Sequence, residues 1–316
     1  MSITELYTVF SDSFDPYSNL AREEALLNLC KEGQLYLYLW QNANTVVIGK
    51  NQSALRECRI QQLEEDGGHL ARRLSGGGAV YHDLGNLNFT FVTWKDDYDL
   101  HRQYQVIQRA LEAYGIHSEF SGRNDLLIDG KKFSGSAYCY SKTACYHHGT
   151  LMVDVDLQKA QQYLNASKAK LQAHGVDSVR SRIINLKSVC PDLTIGELKR
   201  SLVTSCEAEY ALQAEEITVP ADAGKYGSRQ WLYRKEAERG YECSRKLSFG
   251  EVTVRFSLSD GLISDPAVFT DAMVDDFSDQ LETLMNGTDT RQLPQILKAS
   301  DLPHRDELAE MMEEVQ

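Results

Sequence analysis

The stretch from Arg72 to Asn86, RRLSGGGAVYHDLGN, places two arginines directly before three consecutive glycines. Backbone N–H groups at glycines approach an anion closely because no side chain intervenes. An arginine grips carboxylate or phosphate with a planar fork of donors. Three glycines alone are equally compatible with a flexible turn, but the arginines and the following Asp83 and Gly85 favour a binding loop. The stretch therefore predicts a loop that holds an anionic ligand.

A hairpin is predicted downstream, where Asp129-Gly130 lies between two short strand-like runs. This dipeptide is a strong signal for a two-residue turn. Strict alternation along the second strand places Phe133 on one face and Lys132, Ser134 and Ser136 on the other. A lone strand lysine is usually solvated, but the small residues after Phe133 leave room for a ligand beside Lys132.

Polar residues flank this hairpin on both sides. Gly122-Arg123-Asn124-Asp125 precedes it, and Asp125 is a candidate ligand for a Mg²⁺ shared with phosphates. His147 and His148 begin the next predicted strand and point to opposite faces, which disfavours joint zinc binding. One histidine is expected to shape a pocket while the other packs.

A basic segment runs from Lys168 to Lys187 in an otherwise acidic chain. Such a run is usually a solvated face, but it is also a suitable partner for a triphosphate. A basic loop that closes over a reactive intermediate would exclude water from it. We therefore expect this segment to act as a lid.

The remaining pattern predicts strands and helices that alternate without a regular βαβ rhythm, which favours an α+β fold over a doubly wound sheet. Thr194 to Glu197 matches a capping box, and Asp260-Gly261 follows an alternating run. A domain boundary is expected near residue 245, giving domains 1–245 and 246–316. The other predicted elements are a helix from Ser18 to Cys30 with Ser18 or Asn19 as its cap, paired strands at 35–40 and 45–48, strands at 87–92 and 151–156, and helices at 104–114 and near 277–285.

Composition limits the possible classes of function. The chain has 316 residues, 42% hydrophobic residues and a formal net charge of -13, as expected for a folded protein that is not a general nucleic-acid binder. No signal peptide and no apolar run long enough for a membrane span is recognisable. Seven scattered cysteines without a C-x-x-C pair predict reduced thiols and a cytoplasmic protein.

Taken in order, these motifs resemble the lipoate-protein ligase A family, from Asp15-Pro16 to the segment at 268–271. The resemblance implies a mixed-sheet catalytic domain of the biotin/lipoate ligase type, followed by a small α+β accessory domain. It implies that lipoate is activated with ATP and Mg²⁺ to lipoyl-AMP. The lipoyl group then passes to a lysine of a lipoyl domain, in 2-oxoacid dehydrogenase E2 subunits or in the glycine cleavage H protein. Neither a nucleic acid nor a membrane is expected as a partner.

The resemblance also implies roles for individual residues. Lys132 is the expected catalytic residue, in contact with the lipoate carboxyl group and the α-phosphate. Asp125 is the expected metal ligand. The residues expected to bind lipoate or ATP are Arg73, Ser75, Gly76, Gly77, Gly78, Ala79, Val80, Asn124, Asp125, Ser136, Ala137, His148, Gly149, Thr150 and Arg180.

Two alternative functions remain open from the sequence. Cys139 and Cys145 are expected in a loop between Lys132 and His147, and related acyltransferases carry the acyl group on a cysteine without ATP. A noncatalytic lipoate-binding protein is the other alternative. The sequence also leaves open the choice of acceptor, the preference between lipoate and octanoate, the oligomeric state and the general base for transfer.

Overall fold

A computed structural model describes residues 3–122, 124–165, 182–274 and 276–313. Within these residues the strands form an eight-stranded sheet and two three-stranded sheets. The strands are β1 (Glu5–Phe10), β2 (Gln34–Trp40), β3 (Thr45–Ile48), β4 (His69–Arg72), β5 (Val80–His82), β6 (Asn86–Trp94), β7 (Glu119–Phe120), β8 (Asp125–Ile128), β9 (Lys131–Tyr140), β10 (Ala144–Met152), β11 (Ala214–Glu216), β12 (Tyr241–Lys246), β13 (Glu251–Ser259) and β14 (Leu262–Thr270). The helices are α1 (Pro16–Leu29), α2 (Ala54–Glu57), α3 (Ile60–Glu65), α4 (Leu100–Glu112), α5 (Leu157–Tyr163), α6 (Ile195–Tyr210), α7 (Arg229–Leu232), α8 (Phe277–Met285), α9 (Leu293–Ala299) and α10 (Arg305–Glu313).

The large sheet has the order β11-β1-β2-β6-β10-β9-β8-β7 and mixes parallel with antiparallel pairs. One face packs against α4 and α6 in a core that includes Phe89 and Phe133. The opposite face packs against α1 and the small sheet β4-β3-β5, in a core that includes Tyr38 and Val47. This two-sided mixed sheet confirms the predicted α+β class.

Local sequence signals account for several boundaries. Asp129 and Gly130 both have positive φ, which a two-residue hairpin turn with the twist of its strands requires, so the predicted hairpin is confirmed. The capping box is also present, because Thr194 and Glu197 each accept a hydrogen bond from the other's backbone N–H. The start of α1 differs from the prediction: Asp15 is the cap, and its side chain accepts the Ser18 N–H.

Three other expectations are wrong for reasons of tertiary structure. β2 and β3 do not pair with each other, because β2 joins the large sheet between β1 and β6 while β3 lies in the small sheet. The strand expected at 151–156 begins earlier, at Ala144, and ends at Met152. The two cysteines expected in a loop lie in strands, Cys139 in β9 and Cys145 in β10.

The C-terminal part of the chain has a core of its own. β12, β13 and β14 form an antiparallel sheet, and α8, α9 and α10 cover it through Phe256, Phe277 and Leu281. Its predicted turn at Asp260-Gly261 is confirmed by positive φ at both residues. Among the described residues, no helix is long and apolar enough to cross a bilayer.

Gly85 marks a close approach of two backbones beside the large sheet. Its carbonyl accepts hydrogen bonds from the backbone N–H groups of Val153 and Asp154, just after β10. A Cβ at Gly85 would lie 2.0 Å from the carbonyl oxygen of Asp154, an impossible contact with backbone. Only glycine permits this packing.

We predict that Gly85→Ala lowers the free energy of unfolding by about 2 to 3 kcal/mol, because overpacking forces the backbone to shift. Urea denaturation would measure the change. Gly240→Ala is the matched control, since a Cβ there meets no atom within 4 Å. Equal stability of the two variants would contradict the close approach.

Candidate active site

A cleft of about 710 Å³ crosses one face of the large sheet. Its floor includes a row of paired residues, Trp40 on β2, Asn88 on β6 and Thr150 on β10. Gly77 and Gly78 of the glycine-rich loop form part of one wall. Asp271, Met273 and Val274 of the C-terminal part also line the cleft. The site is therefore assembled from both parts of the chain.

A β-bulge in β9 brings Lys132 into this cleft. Leu126 of β8 pairs with Ser134, but the next residue, Leu127, pairs with Lys132, so Phe133 is an extra residue in β9. A bulge reverses the alternation of side chains beyond it. Phe133 lies in the core on the α4 face, while Lys132 and Ala137 both line the cleft. In an unbroken strand, residues 132 and 137 would point to opposite faces.

Because of the bulge, some side chains of β9 point in directions other than those predicted from the sequence. Lys132 does lie opposite Phe133, as predicted. Ser134 does not share the face of Lys132, because it pairs with Leu126, which belongs to the core beneath the sheet. Ser136 lies at the edge of the cleft, and its N–H donates to the carbonyl of Asn124.

The Lys132 ammonium group pairs with Asp125, at 2.7 Å from Nζ to Oδ1. A Cβ on Gly135 would lie 2.7 Å from this Nζ, so the glycine makes room for the lysine head. The Lys132 backbone also pairs with the chain that returns at Arg182: its N–H donates to the Arg182 carbonyl and its carbonyl accepts from Ile184. Lys132 is therefore fixed at its backbone, with its side chain about one third exposed.

Arg73 supports the glycine-rich loop from below. Its guanidinium donates to the carbonyls of Gly76 and Gly78, to Ser75 Oγ and to the Val47 carbonyl. Burial lowers the pKa of Arg73 to about 10, so the side chain stays charged at neutral pH. Among the described residues the acceptors of these hydrogen bonds are neutral, so Arg73 places a buried positive charge behind the cleft wall.

Arg72, the neighbouring arginine, has a different position. It is fully buried and donates to carbonyls of the 49–52 turn and of Trp231 and Leu232 in α7. Burial lowers its pKa to about 9. Arg72 does not line the cleft, so of the two arginines only Arg73 belongs to the site.

A buried chain of hydrogen bonds links the loop to α1. His148 Nε2 lies 2.7 Å from Ser75 Oγ, and His148 Nδ1 lies 2.7 Å from Glu23 Oε1. Thr90 Oγ1 donates to the same Glu23 oxygen and accepts from the Trp40 indole. His148 lines the cleft while Ser75 is buried behind it. The network holds the imidazole and the loop in one arrangement.

The two adjacent histidines separate as the strand geometry predicts. His147 faces the opposite core, where its Nδ1 donates to Gln103 Oε1 at 3.0 Å and its ring packs on Phe89, Phe91 and Tyr138. Burial holds its pKa well below the usual range. The prediction that one histidine shapes a pocket and the other packs is confirmed.

Most of the expected binding residues meet at the cleft. Those that line it are Arg73, Gly77, Gly78, Ala79, Val80, Asn124, Lys132, Ser136, Ala137, His148, Gly149 and Thr150. Ser75, Gly76 and Asp125 lie just behind this surface. Arg180, and most of the expected lid at 168–187, lie outside the described residues.

Sequence reasoning missed several residues of the cleft. Trp40, His82 and Asn88 line it from β2, β5 and β6, and Met273 reaches it from the segment after β14. Gly76 is tightly packed there, because a Cβ on it would lie 2.5 Å from the Ala272 carbonyl. The pattern of alternating polar residues in the strand NLNFT at 86–90 was the one signal available for Asn88.

Comparison with known proteins agrees with this architecture. The family model of the lipoyl protein ligase A/B catalytic domain matches residues 15–207, and that of the bacterial lipoate protein ligase C-terminus matches residues 237–313. Lipoate-protein ligase A of Bdellovibrio bacteriovorus is 39% identical over 298 residues, which is 90% of this chain and 88% of that protein.

Two solved structures have a similar fold. The crystal structure of P. falciparum LipL1 in complex with lipoate matches with a TM-score of 0.82 and 26% identity, over 98% of this chain and 99% of that one. A bi-partite lipoate protein ligase from Thermoplasma acidophilum, described with its E2 lipoyl domain, matches with a TM-score of 0.66 and 26% identity, over 73% of this chain and 96% of that one. Since the catalytic-domain model alone covers more than half of the residues, the chain belongs to the lipoyl protein ligase A/B catalytic domain family.

Proposed function

We propose that this protein is an ATP-dependent lipoate-protein ligase, which forms lipoyl-AMP and then lipoylates a lysine of an acceptor protein. The observation that carries the proposal is the position of Lys132, whose ammonium lies on the cleft face beside Asp125 and the glycine-rich wall. The relative from B. bacteriovorus has the same named activity, and the P. falciparum relative binds lipoate.

In the first step, the lipoate carboxylate attacks the α-phosphorus of ATP and pyrophosphate leaves. Two anions must meet for this bond to form, and their repulsion opposes the step. The Lys132 ammonium, placed between them, reduces this repulsion and stabilises the charge that builds up on the α-phosphate. Asp125 holds the ammonium until substrates compete for it.

The glycine-rich loop supplies a second anion-binding element. Arg73 holds the carbonyls of Gly76 and Gly78 and so fixes the backbone of the loop, whose N–H groups we propose as donors to phosphate or carboxylate oxygens. The segment after β14 packs on Gly76 and narrows the cleft, which limits the access of water to the adenylate.

Mg²⁺ fits the site as a phosphate-bound ion. The described residues contain no group of three or more His, Cys, Asp or Glu side chains that would cage a metal. A Mg²⁺ that keeps phosphate oxygens and water as ligands needs only one or two protein carboxylates, and Asp125 is suitably placed to be one. Bound there, Mg²⁺ would neutralise phosphate charge.

In the second step, the amine of the acceptor lysine attacks the carbonyl carbon of lipoyl-AMP, and AMP leaves. We propose lipoyl domains as acceptors, in E2 subunits of 2-oxoacid dehydrogenases and in the glycine cleavage H protein. Support comes from the T. acidophilum ligase, which is described with its E2 lipoyl domain. A cytoplasmic location stays a prediction.

We further propose that residues 1–245 form the catalytic domain and residues 246–316 the accessory domain. The separate core around Phe256 and Phe277 supports this division. The pairing of β12 with β13 favours a boundary slightly earlier, before Tyr241.

The cysteine mechanism has little support in the site. Neither Cys139 nor Cys145 lines the cleft. Cys145 is fully buried, and burial raises the pKa of its thiol to about 12, so almost none is present as the nucleophilic thiolate at neutral pH. The noncatalytic alternative is disfavoured because Lys132, Arg73 and the three glycines are all present and assembled.

We predict that Lys132→Ala abolishes lipoyl-AMP formation, because the two substrate anions then meet without a cation between them. Its folding should be nearly unchanged, since the side chain is partly exposed. Pyrophosphate release with lipoate and ATP would measure the first step, and circular dichroism the fold. Lys131→Ala is the matched control, because Lys131 is exposed and lies outside the cleft. Wild-type adenylation by Lys132→Ala would overturn the assignment.

We predict that Gly135→Ala slows adenylation by roughly 10- to 100-fold, because the new methyl group displaces the Lys132 head by an ångström or so. Single-turnover formation of lipoyl-AMP would measure it. An unchanged rate would mean that the position of Lys132 over Gly135 is not the reactive one.

We predict that the double variant Cys139→Ser, Cys145→Ala keeps most ATP-dependent lipoylation. Alanine is used at Cys145 because a buried hydroxyl would lack a partner. Intact mass of a lipoyl domain after incubation with lipoate, ATP and Mg²⁺ would measure transfer. Loss of transfer in a folded double variant, together with ATP-independent acyl exchange by the wild type, would support the cysteine mechanism instead.

A further inference from the structure

A lysine from the C-terminal part of the chain lines the cleft together with Lys132 and Arg73. This residue, Lys246, is the last of β12, and its side chain is exposed. Lys132 is paired with Asp125, and Arg73 donates to carbonyls of the glycine-rich loop. Lys246 makes no side-chain hydrogen bond or ion pair with the described residues. It can therefore bind an anion in the cleft without first leaving a partner among them.

The alternation of β12 directs the Lys246 side chain toward the catalytic part of the chain. Cys243 packs on the core of the C-terminal part, and its thiol donates to the Met311 carbonyl. Ser244 points the other way, and its hydroxyl accepts from Arg56 of α2 at 3.1 Å. Lys246 is two residues beyond Ser244 and shares its face of the strand. The side chain therefore projects to where the two parts of the chain meet at the cleft.

The hairpin turn after Lys246 rests on the segment that packs against the glycine-rich loop. A Cβ on Gly250, in this turn, would lie 2.9 Å from Asp271 Oδ1 and 3.0 Å from the Ala272 nitrogen. The Ala272 carbonyl is in turn the atom that a Cβ on Gly76 would meet at 2.5 Å. Two successive close contacts thus join the β12–β13 turn to the glycine-rich wall of the cleft.

The leaving group of adenylation needs positive charge beyond that of Lys132. As the carboxylate oxygen bonds to the α-phosphorus, the bond from this phosphorus to the oxygen bridging to the β-phosphate breaks. Its electron pair goes to the departing pyrophosphate. In phosphoryl transfer, metal ions and cationic side chains together stabilise such charge. An ammonium on a flexible stem suits this task as a compact point charge.

We infer that Lys246 is a further catalytic residue, whose ammonium binds the β- and γ-phosphates of ATP and stabilises pyrophosphate as it leaves. The inference rests on the proposed ligase function. The α-phosphate stays between Lys132 and the glycine-rich loop, and the far end of the triphosphate points toward the β12–β13 turn. Lys246 has no role in the transfer of the lipoyl group, because pyrophosphate has left by then and AMP is the leaving group.

The first test removes the charge of Lys246 in the full-length protein. We expect Lys246→Gln to lower kcat/KM for ATP in lipoyl-AMP formation by roughly 10- to 100-fold, measured by pyrophosphate release. Lys246→Arg keeps the charge and should retain most of the rate. Arg245→Gln is the matched control, because it removes one charge from the neighbouring residue of β12, which is on the other face and outside the cleft.

Two further measurements separate contact with the leaving group from a structural role. Inhibition by pyrophosphate should weaken about tenfold in Lys246→Gln, because one charge-assisted contact is lost. The affinity for AMP should stay unchanged, since AMP has no β- or γ-phosphate. Transfer from supplied lipoyl-AMP to a lipoyl domain should also keep its wild-type rate. Circular dichroism would check the fold of each variant.

Wild-type adenylation and unchanged pyrophosphate inhibition in folded Lys246→Gln would overturn the inference and leave the ligase function intact. Equal slowing of adenylation and transfer would also overturn it, because that result indicates a structural role. An equal loss of affinity for AMP and pyrophosphate would do the same. If Lys246→Gln did not fold, the same measurements on Lys246→Thr, a residue that favours strands, would decide. Failure of the wild type to form lipoyl-AMP would overturn the proposed function itself.

Discussion

The bulge at Phe133 is the constraint on which the arrangement of the cleft depends. A strand that alternates without interruption cannot place both Lys132 and Ala137 on one face, because they are five residues apart. The extra residue sends Phe133 into the core and turns Lys132 toward the cleft. The burial of one aromatic ring thereby fixes the direction of the proposed catalytic lysine.

The second constraint is the burial of charge beneath the glycine-rich loop. Arg73 has no carboxylate partner in the hydrogen bonds it makes, and its donors hold loop carbonyls instead. Glu23 is equally buried, and His148 and Thr90 share one of its oxygens. Buried polar networks of this kind cost stability when a single member is lost. They fix one geometry for the loop, which a site for two anions requires.

The cleft also couples the two parts of the chain. The Asn51 carbonyl accepts the Thr270 N–H, and Gly76 packs directly on the Ala272 backbone. A glycine at this position permits the contact, whereas any side chain would separate the loop from the C-terminal segment. At Gly76 the need for a glycine is thus a packing requirement and not only a property of anion binding.

The sequence by itself determined the turns, the best-capped helix and the family. Turn chemistry identified both Asp-Gly hairpins, and the capping box identified α6, because these signals act between neighbours in the chain. The sequence also predicted that the side chains of His147 and His148 point to opposite faces of their strand. Only the tertiary structure decided that β9 has a bulge at Phe133 and that Arg73, but not Arg72, lines the cleft. It also decided that His82 and Asn88 line the cleft. Each of these features depends on contacts with residues far away in the sequence. A local pattern of side chains does not identify those contacts.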